Sequence, residues 1–503
     1  MLRNMGLYRT HMPKWGVLAA SLLIALIAAI FPIGNSAAQT DQLILKVAKE
    51  YDVAIAGEQR DWFGYGLSVG DINGDGQADL LVGAPESDLD SRFRSGAAFG
   101  FLGPIDSTVS ESSAADIKLK GFDVTAGIGS AVLIQDINGD NVADFLISSE
   151  EMGVDDTRHE SGLIYVVLGP IQPTGASATE LNDQAADFRI LGPHRNYNTG
   201  KGLATGDVNN DGALDIAIGS PGGYGSRKGG VEIVLGPLDG SDIDLRDGSD
   251  IKLLGSIGTI GSTRNGDAAG GSIAIGDINN DGVDDIAVNS RSADVGGIEN
   301  AGETHIIFGP LDPSALEELA TQDEEGGIPI KSIADVTLQG EQERDNASAS
   351  TLAIGDLDGD GVNDLIVGSM QSDAAGSRAA GKVFVIKGPI LSGIYNLEDT
   401  ADVAIEGENP IDSLGSGIGV GDLNGDGVAD LALAANFADP QEREDAGITY
   451  IMFGNIFERE PTPEESNLPQ ILIGVVVVIV VIAAAAGGIW YLRRTRRGAM
   501  PPM

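Results

Sequence analysis

Six short loops of this sequence carry the same oxygen-bearing side chains at the same spacing. Each loop has Asp at position 1, Asn or Asp at position 3, Asp at position 5 and Asp at position 9. Position 6 is Gly in five loops and Asn141 in the second, and both residue types tolerate the positive φ of a sharp turn. The residues at positions 1, 3, 5 and 9 are, in chain order, Asp71, Asn73, Asp75, Asp79; Asp136, Asn138, Asp140, Asp144; Asp207, Asn209, Asp211, Asp215; Asp277, Asn279, Asp281, Asp285; Asp356, Asp358, Asp360, Asp364; and Asp422, Asn424, Asp426, Asp430.

Carboxylate and amide oxygens at alternate positions of a tight loop are the ligands of a hard cation. Ca²⁺ takes six to eight oxygens at about 2.3–2.6 Å in adaptable geometry. The loops are not EF-hands, because position 12 of the first is Val82 instead of a bidentate Glu. An acidic turn without metal would explain one loop, but six loops in register favour up to six Ca²⁺ ions. The backbone carbonyl at position 7 is expected to supply a further ligand, from Gln77, Val142, Ala213, Val283, Val362 and Val428.

The loops lie inside a unit that recurs six times. Each unit contains four short segments of alternating apolar residues bounded by Gly and Pro, which is the pattern of β-strands. Four strands in each radially repeated unit predict an all-β fold, a β-propeller of six blades, with seven blades as the alternative. The units cover about 52–115, 116–186, 187–249, 250–334, 335–401 and 402–456.

The first and last units predict how the ring closes. The last unit ends after its third strand, near Phe453, whereas the first unit begins with an additional strand at 53–56. We expect this N-terminal strand to complete the last blade from outside, because a propeller without it would leave a free sheet edge.

Two apolar segments flank the repeats. The first follows basic residues and ends before Ser36-Ala37-Ala38, which predicts a signal peptide at 1–38, with an uncleaved anchor as the alternative. The propeller is assigned to 39–456, an acidic Pro-containing stalk to 457–469, a transmembrane helix to 470–492 and a basic cytoplasmic tail to 493–503. This arrangement predicts a single-pass cell-membrane protein whose propeller is extracellular.

Composition narrows the class of function. A net charge of −44 excludes nucleic acid as a partner, since phosphate binding needs clustered Lys and Arg. The chain has no Cys and only four His, and it contains neither HExxH nor GxSxG. Without a recognised catalytic constellation, we predict a protein that is not an enzyme.

Short sequence motifs on either side of the loops resemble a known repeat. Phe63-Gly64 precedes the first loop and Gly83-Ala84-Pro85 follows it, and the third unit has Gly219-Ser220-Pro221. These residues resemble the FG-GAP repeat of integrin α-chain propellers, although those propellers have seven blades and continue into long leg domains. The resemblance implies calcium in the hairpin between the first two strands, display at the cell surface, and adhesion or recognition of an extracellular protein or glycan. The alternatives are a surface-anchored enzyme, a hydrolase or lyase on a propeller scaffold, and an architectural component of the cell envelope.

The loops that follow the second strand of each unit must emerge opposite the acidic loops. Arg and aromatic residues, the types that dominate binding sites, recur in loops predicted on that face. We expect this face to recognise a carboxylate- or sulfate-bearing ligand. The alternative is that each Arg pairs with a neighbouring acid such as Asp88 or Glu444. The candidate residues are Trp62, Arg92, Arg94, Arg158, Tyr197, Tyr224, Arg227, Arg378 and Arg443.

Overall fold

A computed structural model describes residues 42–175, 177–224, 227–238, 240–257, 266–320, 326–340, 351–374 and 376–459. The predicted signal peptide, transmembrane helix and basic tail lie outside these residues, as does the stalk beyond residue 459. In the described ranges, no helix is both long and apolar enough to cross a membrane. The description below concerns the compact unit that begins at Leu43.

Short β-strands make up most of this unit. In chain order the strands are β1 Leu43–Lys46, β2 Val53–Ala56, β3 Gly66–Gly70, β4 Asp79–Ala84, β5 Ala97–Phe101, β6 Ile117–Gly121, β7 Val132–Gln135, β8 Asp144–Ser149, β9 Leu163–Val167, β10 Thr179–Leu181, β11 Phe188–Leu191, β12 Leu203–Gly206, β13 Asp215–Gly219, β14 Gly230–Val234, β15 Ile243–Asp244, β16 Ile251–Leu254, β17 Ala269–Gly276, β18 Asp285–Ser290, β19 Glu303–Ile307, β20 Ile328–Pro329, β21 Val336–Gln339, β22 Thr351–Gly355, β23 Asp364–Ser369, β24 Lys382–Ile386, β25 Gly393–Asn396, β26 Val403–Glu406, β27 Leu414–Gly421, β28 Asp430–Ala435 and β29 Ile448–Met452.

The helices are all short and lie in connections. The α-helices are α1 Val47–Glu50, α2 Pro313–Glu317, α3 Ile330–Ile333 and α4 Leu397–Thr400, and the 3₁₀ turns are Leu89–Ser91, Ser112–Ala114, Pro440–Glu442 and Ile456–Glu458.

The strands form six sheets with antiparallel four-stranded cores, which are the six blades of a propeller. The innermost strand of each blade contacts that of the next, and β27 contacts β3 to close the ring. The predicted all-β fold with six blades is therefore confirmed. The four-stranded cores of blades 1 to 6 are β3-β4-β5-β6, β7-β8-β9-β11, β12-β13-β14-β16, β17-β18-β19-β21, β22-β23-β24-β26 and β27-β28-β29-β2.

The N-terminal strand closes the ring as predicted. Strand β2 pairs antiparallel with β29, with Val53 opposite Ile451 and Ala56 opposite Ile448. The chain ends thus share one sheet, which leaves blade 6 with the same four-stranded core as the others.

Five blades carry an additional outer strand that sequence reasoning missed. Strands β10, β15, β20, β25 and β1 each pair in parallel with the fourth strand of blades 1 to 5, respectively. These strands have two to four residues, too few to show a period in the sequence. Because β1 lies on blade 5 and β2 on blade 6, the N-terminal segment joins two neighbouring blades.

Gly83 and Gly219, which belong to the GAP-like motifs, lie where neighbouring blades approach each other closely. A Cβ atom on Gly83 would lie 2.0 Å from the carbonyl oxygen of Gly129 in blade 2, and one on Gly219 would lie 1.8 Å from that of Gly270 in blade 4. Any side chain there would push the blades apart. These glycines therefore set the spacing of the ring and, with it, the positions of the loops at either end.

Candidate metal centres

Each acidic loop joins the first two strands of a blade, and its position-1 carboxylate closes the turn. In blade 1, Asp71 Oδ1 accepts hydrogen bonds from the amides of Gly74 and Asp75 at 2.8 and 3.1 Å, and Oδ2 accepts one from Gly76 at 2.8 Å. Bonds to the position-5 and position-6 amides recur in all six loops. The turn is thus stabilised by hydrogen bonds to the first side chain of the loop.

The side chains at positions 3 and 5 form further hydrogen bonds within the same loop. Asn73 Oδ1 accepts from the Asp75 amide at 2.8 Å, and Asn73 Nδ2 donates to Asp75 Oδ2 at 3.0 Å. Asp75 Oδ1 in turn accepts from the Gln77 amide at 2.9 Å. The predicted ligand side chains are therefore brought together by local bonds within nine residues.

The position-9 Asp has a second role that the sequence did not reveal. Asp79 is fully buried; its Oδ2 accepts from the Ile72 amide at 2.7 Å and its Oδ1 accepts from the Gly103 amide at 2.6 Å. Gly103 precedes the proline after the third strand, so this carboxylate ties the loop to the next connection. The equivalent residues Asp144, Asp215, Asp285, Asp364 and Asp430 make the same two bonds.

Burial also perturbs these carboxyl groups. It raises the pKa of Asp79, Asp144 and Asp215, and it raises the pKa of Asp285, Asp364 and Asp430 to about 6. Removal from water disfavours the charged form, and the backbone amides offset this only in part. A bound cation would supply the missing compensation.

The donor set fits a hard divalent cation. In blade 5 the carboxylate oxygens of Asp356, Asp358 and Asp364 lie within 4.8 Å of one another. No other group of three acidic or His ligands meets this spacing in the described ranges, and position 3 is Asn in the other five loops. Carboxylate, amide and carbonyl oxygens are the ligands that Ca²⁺ takes.

The opposite face differs from the sequence expectation, because most of its predicted ligand-binding arginines are already paired. Arg92 contacts Glu180 at 3.0 Å, and Arg94 forms an ion pair with Glu86. Arg443 contacts Glu111 at 2.8 Å. These bonds favour the alternative in which the arginines relieve repulsion between nearby acids.

Arg158 is the most enclosed of these arginines. Its side chain is only 9% exposed and contacts Asp155 at 2.8 Å and Asp244 at 3.1 Å. It also donates to the carbonyl of Gly192 at 3.1 Å. Arg158 therefore fixes a loop and is not available to a ligand.

Two arginines and two aromatic residues of the set remain at the surface. Arg227 and Arg378 are exposed, and neither forms an ion pair with any residue in the described ranges. Trp62 is half-buried against Phe437, with ring centroids 5.0 Å apart. Tyr197 is also half-buried.

Tyr224 is buried and donates to the buried carboxylate of Glu232. Its predicted contact with a ligand is therefore replaced by an internal bond.

A cluster at the axial end of the ring breaks the repeat symmetry and was missed. Lys201 Nζ lies 3.0 Å from Glu150 Oε1 and 3.6 Å from the ring centroid of Tyr65, and Tyr65 Oη donates to the same Glu150 oxygen at 3.1 Å. Burial raises the pKa of Tyr65. The sequence contained a signal for this cluster. Tyr65 and Lys201 each directly follow a glycine, and the equivalent position in other units is occupied by the small residues Ser130, Gly271 and Ser416.

Comparison with known repeats agrees with this architecture. The model of the FG-GAP repeat matches residues 63–100, 199–233, 269–307, 348–386 and 414–452. The chain carries FG-GAP repeats. The five matched FG-GAP segments lie in blades 1, 3, 4, 5 and 6, and each runs from the innermost strand toward the third strand. Blade 2 is not among the matched segments, although it has the same strands and the same acidic loop.

Proteins of two kinds are similar to part of this chain. Phosphatidylinositol-glycan-specific phospholipase D from Homo sapiens is 29% identical over 33% of this chain and 20% of its own length. Integrin alpha-8 from Mus musculus is 29% identical over 38% of the chain and 17% of its own length. Integrin alpha pat-2 from Caenorhabditis elegans is 30% identical over 51% and 19%. The matched part of the chain thus spans about a fifth of the length of these relatives.

Proposed function

We propose that this protein is a non-catalytic, calcium-binding propeller displayed at the cell surface for adhesion or ligand recognition. The observation that carries the proposal is the agreement of six loops, in each of which the position-1 carboxylate accepts a hydrogen bond from the position-6 amide and so closes the turn that carries the oxygen ligands. Similarity to two integrin alpha chains supports recognition at a cell surface.

Calcium in this proposal stabilises the fold and performs no chemistry. Each loop collects three carboxylates, and the loop of blade 5 collects four, so without metal the like charges repel one another. A cation that binds only the folded protein raises the free energy of unfolding. One ion in each loop would then hold the first two strands of its blade at a fixed separation.

Membrane attachment is proposed from the sequence beyond the described residues. Residues 471–492 carry no charge and would form a helix of about 33 Å, enough to cross a bilayer. Four arginines follow this segment, which would place residues 493–503 in the cytoplasm. In this arrangement a signal peptide at 1–38 would deliver the propeller to the outside.

The recognition surface is proposed on the face opposite the metal loops, around Arg227, Arg378, Trp62 and Tyr197. An exposed guanidinium favours a carboxylate or sulfate, which it can bind through two parallel hydrogen bonds. The partner would be an extracellular protein or a glycan that carries such groups.

The test is a binding screen of the full-length chain, in detergent, against acidic and neutral glycans and cell-surface proteins. We expect calcium-dependent binding that is lost in Arg227→Glu. Arg92→Met, which removes an arginine that already has an internal partner, is the matched control and should retain binding. Equal binding by Arg227→Glu and the native chain would remove this face as the recognition surface.

A catalytic function is the second candidate, since one relative is a phospholipase D. The cluster of Tyr65, Glu150 and Lys201 at the axial end of the ring is the group of titratable side chains that would serve it. Release of product from a phosphatidylinositol-glycan substrate by the native chain, and its loss in Tyr65→Phe, would favour this candidate over recognition alone.

A further inference from the structure

Blade 5 departs from the other blades at two positions that contact each other. Position 3 of its acidic loop is Asp358, where the other five loops have Asn. Lys387 stands before the glycine that ends its third strand, where an apolar residue stands in every other blade. Those apolar residues are Leu102, Leu168, Leu235, Phe308 and Phe453.

The two residues form a close ion pair at the candidate metal centre. Lys387 Nζ lies 2.6 Å from Asp358 Oδ2, and the Asp358 side chain is only 10% exposed. Asp358 is also one of the three carboxylates, with Asp356 and Asp364, whose oxygens lie within 4.8 Å of one another. An ammonium group of the protein itself therefore neutralises part of this four-carboxylate loop.

The same ammonium contacts the segment through which the chain leaves the last blade. Lys387 Nζ lies 4.1 Å from the ring centroid of Phe457, in the 3₁₀ turn Ile456–Glu458. The Phe457 amide donates to Asn455 Oδ1 at 3.0 Å, which fixes the turn. Lys387 thus links the acidic loop of blade 5 to the residues that precede the predicted stalk.

We propose that Lys387 is a built-in cation of blade 5, that Ca²⁺ entering this loop displaces it from Asp358, and that the displacement breaks its contact with the Phe457 ring. The proposal rests on calcium binding as set out above. Asp358 Oδ2 cannot hold a divalent ion and an ammonium at full strength, because the two cations repel each other at this separation. The loop of blade 5 then binds Ca²⁺ more weakly than it would without Lys387, and its occupancy changes the contacts of the segment beyond blade 6.

The first test is a calcium titration of the full-length chain by equilibrium dialysis. In Lys387→Met we expect one site to bind about tenfold more tightly while the other five are unchanged. Leu235→Met, the equivalent position of blade 3, is the matched control and should leave all sites as they are. A native-like titration of Lys387→Met would overturn the proposal.

A transplanted pair provides a second variant that does not depend on removing Lys387. Blade 4 has Asn279 and Phe308 at the two positions, so Asn279→Asp with Phe308→Lys recreates the pair there. We expect one further site to weaken relative to Asn279→Asp alone. An equal affinity in the two variants would contradict the proposed competition between lysine and metal.

Hydrogen exchange at residues 455–459 tests the link to the chain end. In the native chain, exchange should rise as the blade 5 site fills, whereas in Lys387→Met it should be high already and insensitive to calcium. Exchange that ignores calcium in the native chain would contradict the link. If no variant binds calcium, the proposed function fails and this inference fails with it; six sites with no effect of Lys387→Met would sink the inference alone.

Discussion

The two faces of the propeller preserve the repeat to different degrees. On the face of the acidic loops, Asp71 finds its hydrogen-bond partners within five residues, and the same bonds recur in the other blades. On the opposite face, Arg92 pairs with a residue 88 positions away and Arg443 with one 332 positions away. Arg92, Arg158 and Arg443 each pair with an acid at the outer edge of their own blade, whereas Arg227 and Arg378 form no ion pair in the described ranges.

The difference separates what a repeat preserves from what individual blades are free to change. A metal loop works only if every ligand position is kept, so all six copies remain alike. A loop on the other face needs only to be held in place, and the arginine that holds it in blades 1, 2 and 6 has no acidic partner in the described ranges of blades 3 and 5. We therefore expect metal binding, which is the same in every blade, on the face of the acidic loops. We expect selective recognition of a ligand on the opposite face.

Removal of metal should produce the largest effect and should act through the acidic-loop face alone. With calcium at about ten times its dissociation constant, six sites would add on the order of 8 kcal/mol to the free energy of unfolding. We expect the melting temperature in calcium to exceed that in chelator by on the order of ten degrees. Calorimetry checks this, and equal melting temperatures would mean that the loops hold no stabilising metal.

Two positions of one loop should separate structural from metal-binding roles. Asp79→Ala leaves the buried amides of Ile72 and Gly103 without an acceptor and should cost about 5 kcal/mol even in chelator. Asp75→Ala, an exposed position of the same loop, should destabilise mainly when calcium is present. Chemical denaturation with and without calcium measures both, and an equal cost for the two variants in chelator would contradict the second role of position 9.

On the opposite face, Asp61 should give the pH dependence. Asp61 is buried, and burial raises its pKa to about 7, so the folded state binds this proton more tightly than the unfolded state. The stabilisation is fully present below about pH 4 and is lost as the pH rises through about 7, by up to about 4 kcal/mol.

Asp61→Asn, which stays neutral at every pH, should flatten this part of the curve. It should match the native chain near pH 4 and exceed its stability near pH 8. Denaturation at several pH values in chelator measures the difference. Parallel curves for the two proteins would show that Asp61 titrates normally.

The smallest predicted effects compare two arginines of the opposite face. Arg158→Met removes an enclosed side chain with two acidic partners and should cost about 3 kcal/mol. Arg227→Met removes an exposed side chain and should change stability by less than about 0.5 kcal/mol. Thermal melts check both, and a large cost at Arg227 would indicate a structural role there.

The sequence predicted the symmetric face and the ring closure because their signals are local or repeated. The loop spacing recurs six times, and the orphan strand at Val53–Ala56 has only one open sheet edge to join. The opposite face was predicted poorly, because the partners of Arg92 and Arg158 are distant in the chain. The buried bond from Gly103 to Asp79 likewise joins residues that no spacing rule connects.

The number of calcium ions bound by each full-length chain tests the central claim most directly. Equilibrium dialysis should give six ions for the native chain and five for Asp360→Ala, which removes the position-5 ligand of blade 5. The same variant should leave the remaining five sites at their native affinity. A chain that binds no calcium, or one whose count is unchanged in Asp360→Ala, would contradict the assignment of the acidic loops as metal centres.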